Sequence, residues 1–166
     1  MSIRILTSAD AAAFRELRLR ALKEHADAFT SSFEEDVKKP LGATEQRIAG
    51  QDGNVFWGAF VEGRLQGIVG LVREGRTKGA HSADVVAMYV APESGRRGLG
   101  RALLQAVIDY ARNEAHVEQL VLTVTRSNQA AAKLYKAAGF ATFGLEPRAI
   151  KVDGEYFDKE HMILFL

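Results

Sequence analysis

"VAPESGRRGLGRALL", residues 90–104, is the stretch on which the reading of the whole chain turns. It closes an apolar run, Ala83 to Val90, and opens a helical one, with three glycines and three arginines packed into the junction. The first N–H groups of a helix have no partner inside it, and a glycine-containing loop lets an anion come close to them. Gly98 and Gly100 suit that geometry, while Arg96, Arg97 and Arg101 add charge able to pair with phosphate. The junction therefore predicts a phosphorylated ligand lying across the C-terminal end of the strand Ala83 to Val90. It lacks the Gly-Lys-Ser/Thr ending of a P-loop, and its spacing is not the Gly-x-Gly-x-x-Gly of a dinucleotide fold. A plain solvated turn uses the same residue types, so the fragment alone leaves both readings open.

Working outward, the segment after Gly100 keeps helical spacing to Ala115, with Leu103, Leu104, Val107, Ile108 and Ala111 on one face. "QLVLTV" (119–124) reads as a buried strand, Asn128 to Ala138 as another helix, and Gly139-Phe140 opens a β region that runs to Leu166. Upstream, residues 54–74 are β-rich and break at Glu62-Gly63, the mark of a hairpin. Ala83 to Val90 is apolar on both faces, as a central strand should be. Nearer the start, Ile3 to Leu6 predicts a short strand and Thr7 to Asp10 offers capping groups. Ala11 to Glu24 then repeats Phe14, Leu17 and Ala21 at helical spacing. Between them and the hairpin, Phe33 to Lys38 suggests a short helix stopped at Pro40, and Thr44 to Ala49 a further turn or two closed by Gly50. The order β-α-α-β-β-β-α-β-α-β-β predicts an α/β or α+β mixed sheet with helices on its faces.

A length of 166 residues without a composition shift predicts a single domain, residues 1–166. Net charge of +1 provides no global attraction to nucleic acid or anionic membrane, so any basic function must be local. The absence of cysteine excludes a disulfide framework, thiolate zinc sites and a cysteine nucleophile together. His25, His81, His116 and His161 lie without ligand spacing, and no metal is expected. The N-terminus reaches Asp10 too soon for a secretory signal, and no run approaches the roughly 20 apolar residues that span a bilayer, so a cytoplasmic location is expected.

Together these features resemble the GNAT superfamily of N-acetyltransferases. "MYVAPESGRRGLGRALL" (88–104) looks like its acetyl-CoA signature, "TVTRSNQAAAKLYKAAGF" (123–140) like the strand-helix pair that follows, and "EYFDKEHMIL" (155–164) like its last strand. The signature departs from the usual Arg/Gln-x-x-Gly-x-Gly/Ala, because Gly95 holds the first position and the arginines stand at 96 and 97. The resemblance implies that the strands Ala83 to Val90 and Gln119 to Val124 splay apart to admit pantetheine. Backbone groups near Met88 and Val90 would hold the arm and the thioester carbonyl. The pyrophosphate would rest on Arg96, Arg97, Gly98, Leu99, Gly100 and Arg101. Asn128 would bond or orient the pantetheine, or simply cap its helix.

In this superfamily an amine attacks the thioester directly, with no acyl-enzyme, which agrees with a chain free of cysteine. Tyr135 occupies the position from which relatives donate a proton or hydrogen bond to the coenzyme sulfur. Because a primary amine with pKa near 10 is mostly protonated at neutral pH, a base is expected as well. Asp84 is the candidate, at the same distance before the loop glycine as the glutamate of the histone acetyltransferase branch. It is short enough to need a water, and strand alternation would place it on the face of Val86 and Met88; His81 is its alternative. Acceptor recognition is expected from the excursion after the first helix and from the last hairpin, with Phe29, Phe33, Glu34 and Tyr156 as candidates. The acidic run Glu34 to Asp36 could attract a cation, or be a solvated helix face. The expected acceptor is a small-molecule amine first and a peptide amine second, with nucleic acid and membrane as disfavoured partners. The competing reading is an acyl-CoA-binding sensor with little transfer activity. The apolar tail "MILFL" (162–166) suggests a homodimer contact or, equally, core.

Overall fold

The computed structural model describes residues 1–166, except the side chain of Asp52. Seven strands form one mixed sheet in the order β1-β2-β3-β4-β5-β7-β6, which makes β4 the central strand. In chain order they are β1 (Ser2–Ile5), β2 (Val55–Val61), β3 (Arg64–Arg73), β4 (Ser82–Val90), β5 (Gln119–Thr125), β6 (Ala141–Val152) and β7 (Glu155–Phe165). The α-helices are α1 (Ala11–Glu24), α2 (Phe33–Asp36), α3 (Leu41–Ile48), α4 (Leu99–Asn113) and α5 (Gln129–Ala137). All neighbours are antiparallel except β4 and β5. None of the described helices is long and apolar enough to cross a membrane.

Local chemistry sets most boundaries. Glu62 and Gly63 both take positive φ (49° and 76°), the backbone of a two-residue type I′ hairpin turn whose twist matches β2 and β3. Asp10 Oδ2 accepts from the Thr7 N–H at 2.9 Å and both its oxygens accept from Arg4, so the entry to α1 is fixed to β1. α3 starts at Leu41, earlier than the expected Thr44, because Pro40 takes an extended conformation (φ −67°, ψ 155°) and opens this helix instead of only stopping the previous one.

Two cores lie on opposite faces of the sheet. On one, α4 buries Leu99, Leu103, Leu104, Val107, Ile108 and Ala111 against β2 to β5, each large side chain contributing about 1.5–3 kcal/mol of burial. On the other, α1 and α3 bring Phe14, Leu17, Ala21 and Ile48 against Phe56 and Ile68. An extra β4 residue opposite β3 forms a bulge, where the step from Ile68 to Gly70 faces the step from Tyr89 to Val86. Ala87 sits there with φ 57°. The bulge reverses the alternation. Met88 and Val90 join Ala83 and Val85 on the α4 face, whereas Val86, Ala87 and Tyr89 pack on the α1 face. The expectation that Asp84, Val86 and Met88 share a face is therefore corrected: Met88 is on the other side.

Candidate active site

β4 and β5 pair only at Ser82–Gln119, Ala83–Leu120 and Asp84–Val121. Beyond Asp84 both strands continue unpaired with each other, β4 to Val90 and β5 to Thr125. The bulge at Ala87 bends β4 just past the last pair, and the sheet opens into a cavity of about 910 Å³. Its wall includes residues from both faces: Arg18 and Arg47 from α1 and α3, and Leu99, Gly100, Leu134 and Tyr135 from α4 and α5. The opening therefore passes through the sheet, lined from both of its faces.

At the α4 side, Gly98 is the N-cap, in a left-handed conformation (φ 75°, ψ 9°) that favours glycine, and no side chain among the described residues caps the helix. The first intrahelical bond is from Ala102 N–H to Gly98 C=O at 3.0 Å, so the N–H groups of Leu99, Gly100 and Arg101 have no partner within α4. Gly98, Leu99, Gly100, Arg96 and Arg101 all line the cavity, but Arg97 does not. Arg96, at φ 62°, is turned by the loop toward the opening. Those amides and two cations with no ion-pair partner among the described residues fit a diphosphate.

Met88, Val90, Asn128 and Tyr135 line the middle of the cleft. Asn128 caps α5 by accepting from Ala131 N–H at 3.2 Å through Oδ1, which leaves its side-chain N–H groups for a ligand. Tyr135 is 6% exposed, its ring edge-on to Phe140 at 6.0 Å. Burial pushes its phenol above the ordinary value, so it stays protonated and can donate.

Other expected residues lie elsewhere. Asp84 stands at the last β4–β5 pair, outside the cavity wall and exposed. Partial desolvation, then the charge of Glu74, raises its carboxyl above the usual range. Among the acceptor candidates Phe29 lines the cavity, whereas Phe33, Glu34 and Tyr156 do not. Phe33 lies under the Lys23 ammonium at 5.7 Å, Glu34 is exposed, and Tyr156 at the β6–β7 turn is exposed too, with Arg148 and Lys151 near its ring. Only Asp36 of the acidic run turns inward, where Lys39 Nζ holds its Oδ1 at 2.6 Å.

Sequence reasoning missed the cations of the α1 side, Arg18, Arg47 and Lys159. For Arg18 the signal was present: it lies four residues after Phe14 and four before Leu22, on the buried stripe of α1. Lys159 is buried on β7 opposite Thr125, and no periodicity marks it.

A family model described as an acetyltransferase (GNAT) domain matches residues 3–162. The N-alpha-acetyltransferase RimI of Mycobacterium tuberculosis is 32% identical over 93% of this chain and 87% of its own. Among solved structures, an acetyltransferase of the GNAT family from Streptococcus pneumoniae superposes with a TM-score of 0.89 at 26% identity, covering 99% of both chains. The yncA structure from Salmonella typhimurium, solved with its cofactor acetyl-CoA, gives 0.84 at 25% identity over 100% of this chain and 94% of that one. With a splayed sheet, an uncapped helix facing the opening and a family match over nearly its whole length, the chain belongs to the GNAT acetyltransferases and is an acyltransferase.

Proposed function

We propose that the protein transfers the acetyl group of acetyl-CoA to a primary amine, a small molecule in preference to a peptide, inside the cleft between β4 and β5. The observation that carries this is the buried phenol of Tyr135 in the same cavity as the free amides of α4. A module that only binds coenzyme has no need of a protonated acid at that depth. Acetyl-CoA, once bound, supplies an activated acetyl thioester. Leu99, Gly100 and Arg101 N–H groups, with Arg96 and Arg101, hold the diphosphate; the unpaired β4 edge around Met88 and Val90 aligns the arm; Asn128 orients it. Tyr135 keeps its proton at Oη for the departing sulfur. Asp84 adjoins Val85, which lines the cavity, and its carboxylate would accept the amine proton only through water. The α-amine named for the RimI relative supports a peptide N-terminus as the second acceptor class.

Thiol release measured across a panel of amines and short peptides, with the acetylated product identified by mass, checks the reaction. Transfer to at least one small amine is expected. Tight acetyl-CoA binding with no acceptor modified would assign the protein to the sensor class instead. On the edge strand β6, Phe143 and Leu145 are 59% and 49% exposed, which supports a homodimer through that strand. Light scattering at micromolar concentration should give twice the chain mass, and a monomer would remove the contact.

A further inference from the structure

Among the described residues the cavity wall carries Arg18, Arg47 and Lys159 in addition to Arg96 and Arg101, and one acid, Asp27. The two sets lie at different ends: Arg96 and Arg101 at the start of α4, and Arg18 and Arg47 on the helices that cover the opposite sheet face. Arg18 is 7% exposed, and its Nε and Nη1, both closed to solvent, have no hydrogen-bond partner among the described residues. Its guanidinium is stacked 4.6 Å over Phe29. The nearest carboxylate, Asp36 Oδ2, is 3.9 Å from Nε and belongs to the group that Lys39 already engages. Lys159, also buried, donates to Thr30 Oγ1, next to Phe29; the carboxylate of Glu146, its cross-strand partner on β6, acts on its charge but is engaged by His161 and forms no ion pair with it. Buried cations without matching anions are costly to a fold. Burial and then the charge of Arg47 push the Arg18 pKa down to about 10, while Asp36 acts the other way.

We propose that the acceptor amine also bears a carboxylate or another compact oxyanion, which Arg18, Arg47 and Lys159 bind at the α1 side of the cleft. The amine is then directed toward the thioester, and amino acids become the substrate class. This rests on the acetyl transfer proposed above. Charge-assisted hydrogen bonds from a guanidinium are a strong form of carboxylate recognition, and a polyamine would meet the same three cations with like charge. The acidic run that suggested a cationic acceptor contributes only Asp36 here, and it is already engaged.

Steady-state kcat/KM for free amino acids, their amides, aminophosphonates and spermidine tests this. The free acid is expected to exceed its amide at least tenfold, with spermidine slowest. Aminophosphonates separate a general oxyanion site from one shaped to carboxylate. Arg18→Gln should bring the acid-to-amide ratio toward one and leave KM for acetyl-CoA within twofold, while Arg18→Lys should recover part of the ratio. Lys159→Met gives a second reading if Arg18→Gln folds poorly by circular dichroism. Calorimetry with N-acetyl amino acids against N-acetyl amino amides reads the same preference without turnover. Equal rates for acid and amide, or an Arg18→Gln variant that weakens acetyl-CoA and keeps the ratio, overturns the oxyanion site while acetyl transfer stands. If no amine of any charge is acetylated, acetyl transfer itself falls, and this proposal with it.

Discussion

Tyr135→Phe is expected to lower kcat about 100-fold at saturating acetyl-CoA and acceptor, at the low end of what a positioned acid supplies. That corresponds to about 2.7 kcal/mol of transition-state stabilisation. The ring is held by burial and by its edge-on contact with Phe140, and the phenol makes no hydrogen bond to a described residue. Phenylalanine therefore preserves the packing and removes only the proton donor. KM for acetyl-CoA should stay within a few-fold and the melting temperature within a few degrees, because a structural role would move those quantities instead. The pH profile gives an independent reading. Burial holds the Tyr135 proton beyond the ordinary tyrosine value near 10. As pH rises, kcat/KM should climb while the acceptor amine loses its proton, with no descending limb through about pH 9. A fall centred below that, or a phenylalanine variant within threefold of wild type, takes Tyr135 out of proton transfer.

The residues that made this prediction possible were legible in the sequence, and the splay of β4 from β5 came with the family resemblance; the backbone feature that accompanies it did not. Helical spacing located α1 at Ala11–Glu24 and placed the apolar stripe of α4, and Glu62-Gly63 marked the hairpin, because each depends on near neighbours in the chain. The opening between β4 and β5 depends instead on a bulge at Ala87, an extra residue opposite Val69 that no local signal announces. Strand alternation assumes a regular ladder, so it put Met88 on the wrong face and made the link from Asp84 to the cleft look shorter than it is. Long-range contacts decided the acceptor end in the same way. Arg18 meets Phe29 and Asp36 across a turn and a helix, and Lys159 reaches Thr30 from the last strand. Of the two readings of Glu34 to Asp36, the solvated helix face fits the exposed Glu34 and Glu35, and the cation-attracting one has the opposite sign to the folded cavity.

Gly98→Asp is expected to raise KM for acetyl-CoA about 100-fold while leaving the fold at least as stable as Gly98→Asn leaves it. A Cβ at residue 98 meets no atom within 4 Å, so both side chains start into open space. Both enter a left-handed conformation that Asn and Asp tolerate better than other residues, at a cost of about 1 kcal/mol. They differ in charge. An aspartate at the start of α4 occupies the favourable end of the helix dipole, worth about 0.3–1 kcal/mol to stability, yet it sets a negative charge where the diphosphate must lie. Losing one or two charge-assisted hydrogen bonds of about 1.5–3 kcal/mol each accounts for the fold-change. Asparagine, neutral and of the same shape, should shift KM by no more than about fivefold. The gap between the two should narrow as salt rises, because the loop is exposed and its charges are screened. Calorimetric titration with coenzyme A and thermal melting of both variants measure the two quantities separately. If aspartate and asparagine bind coenzyme A alike, the diphosphate does not lie on the amides of Leu99, Gly100 and Arg101, and the assignment of the α4 end of the cleft fails with it.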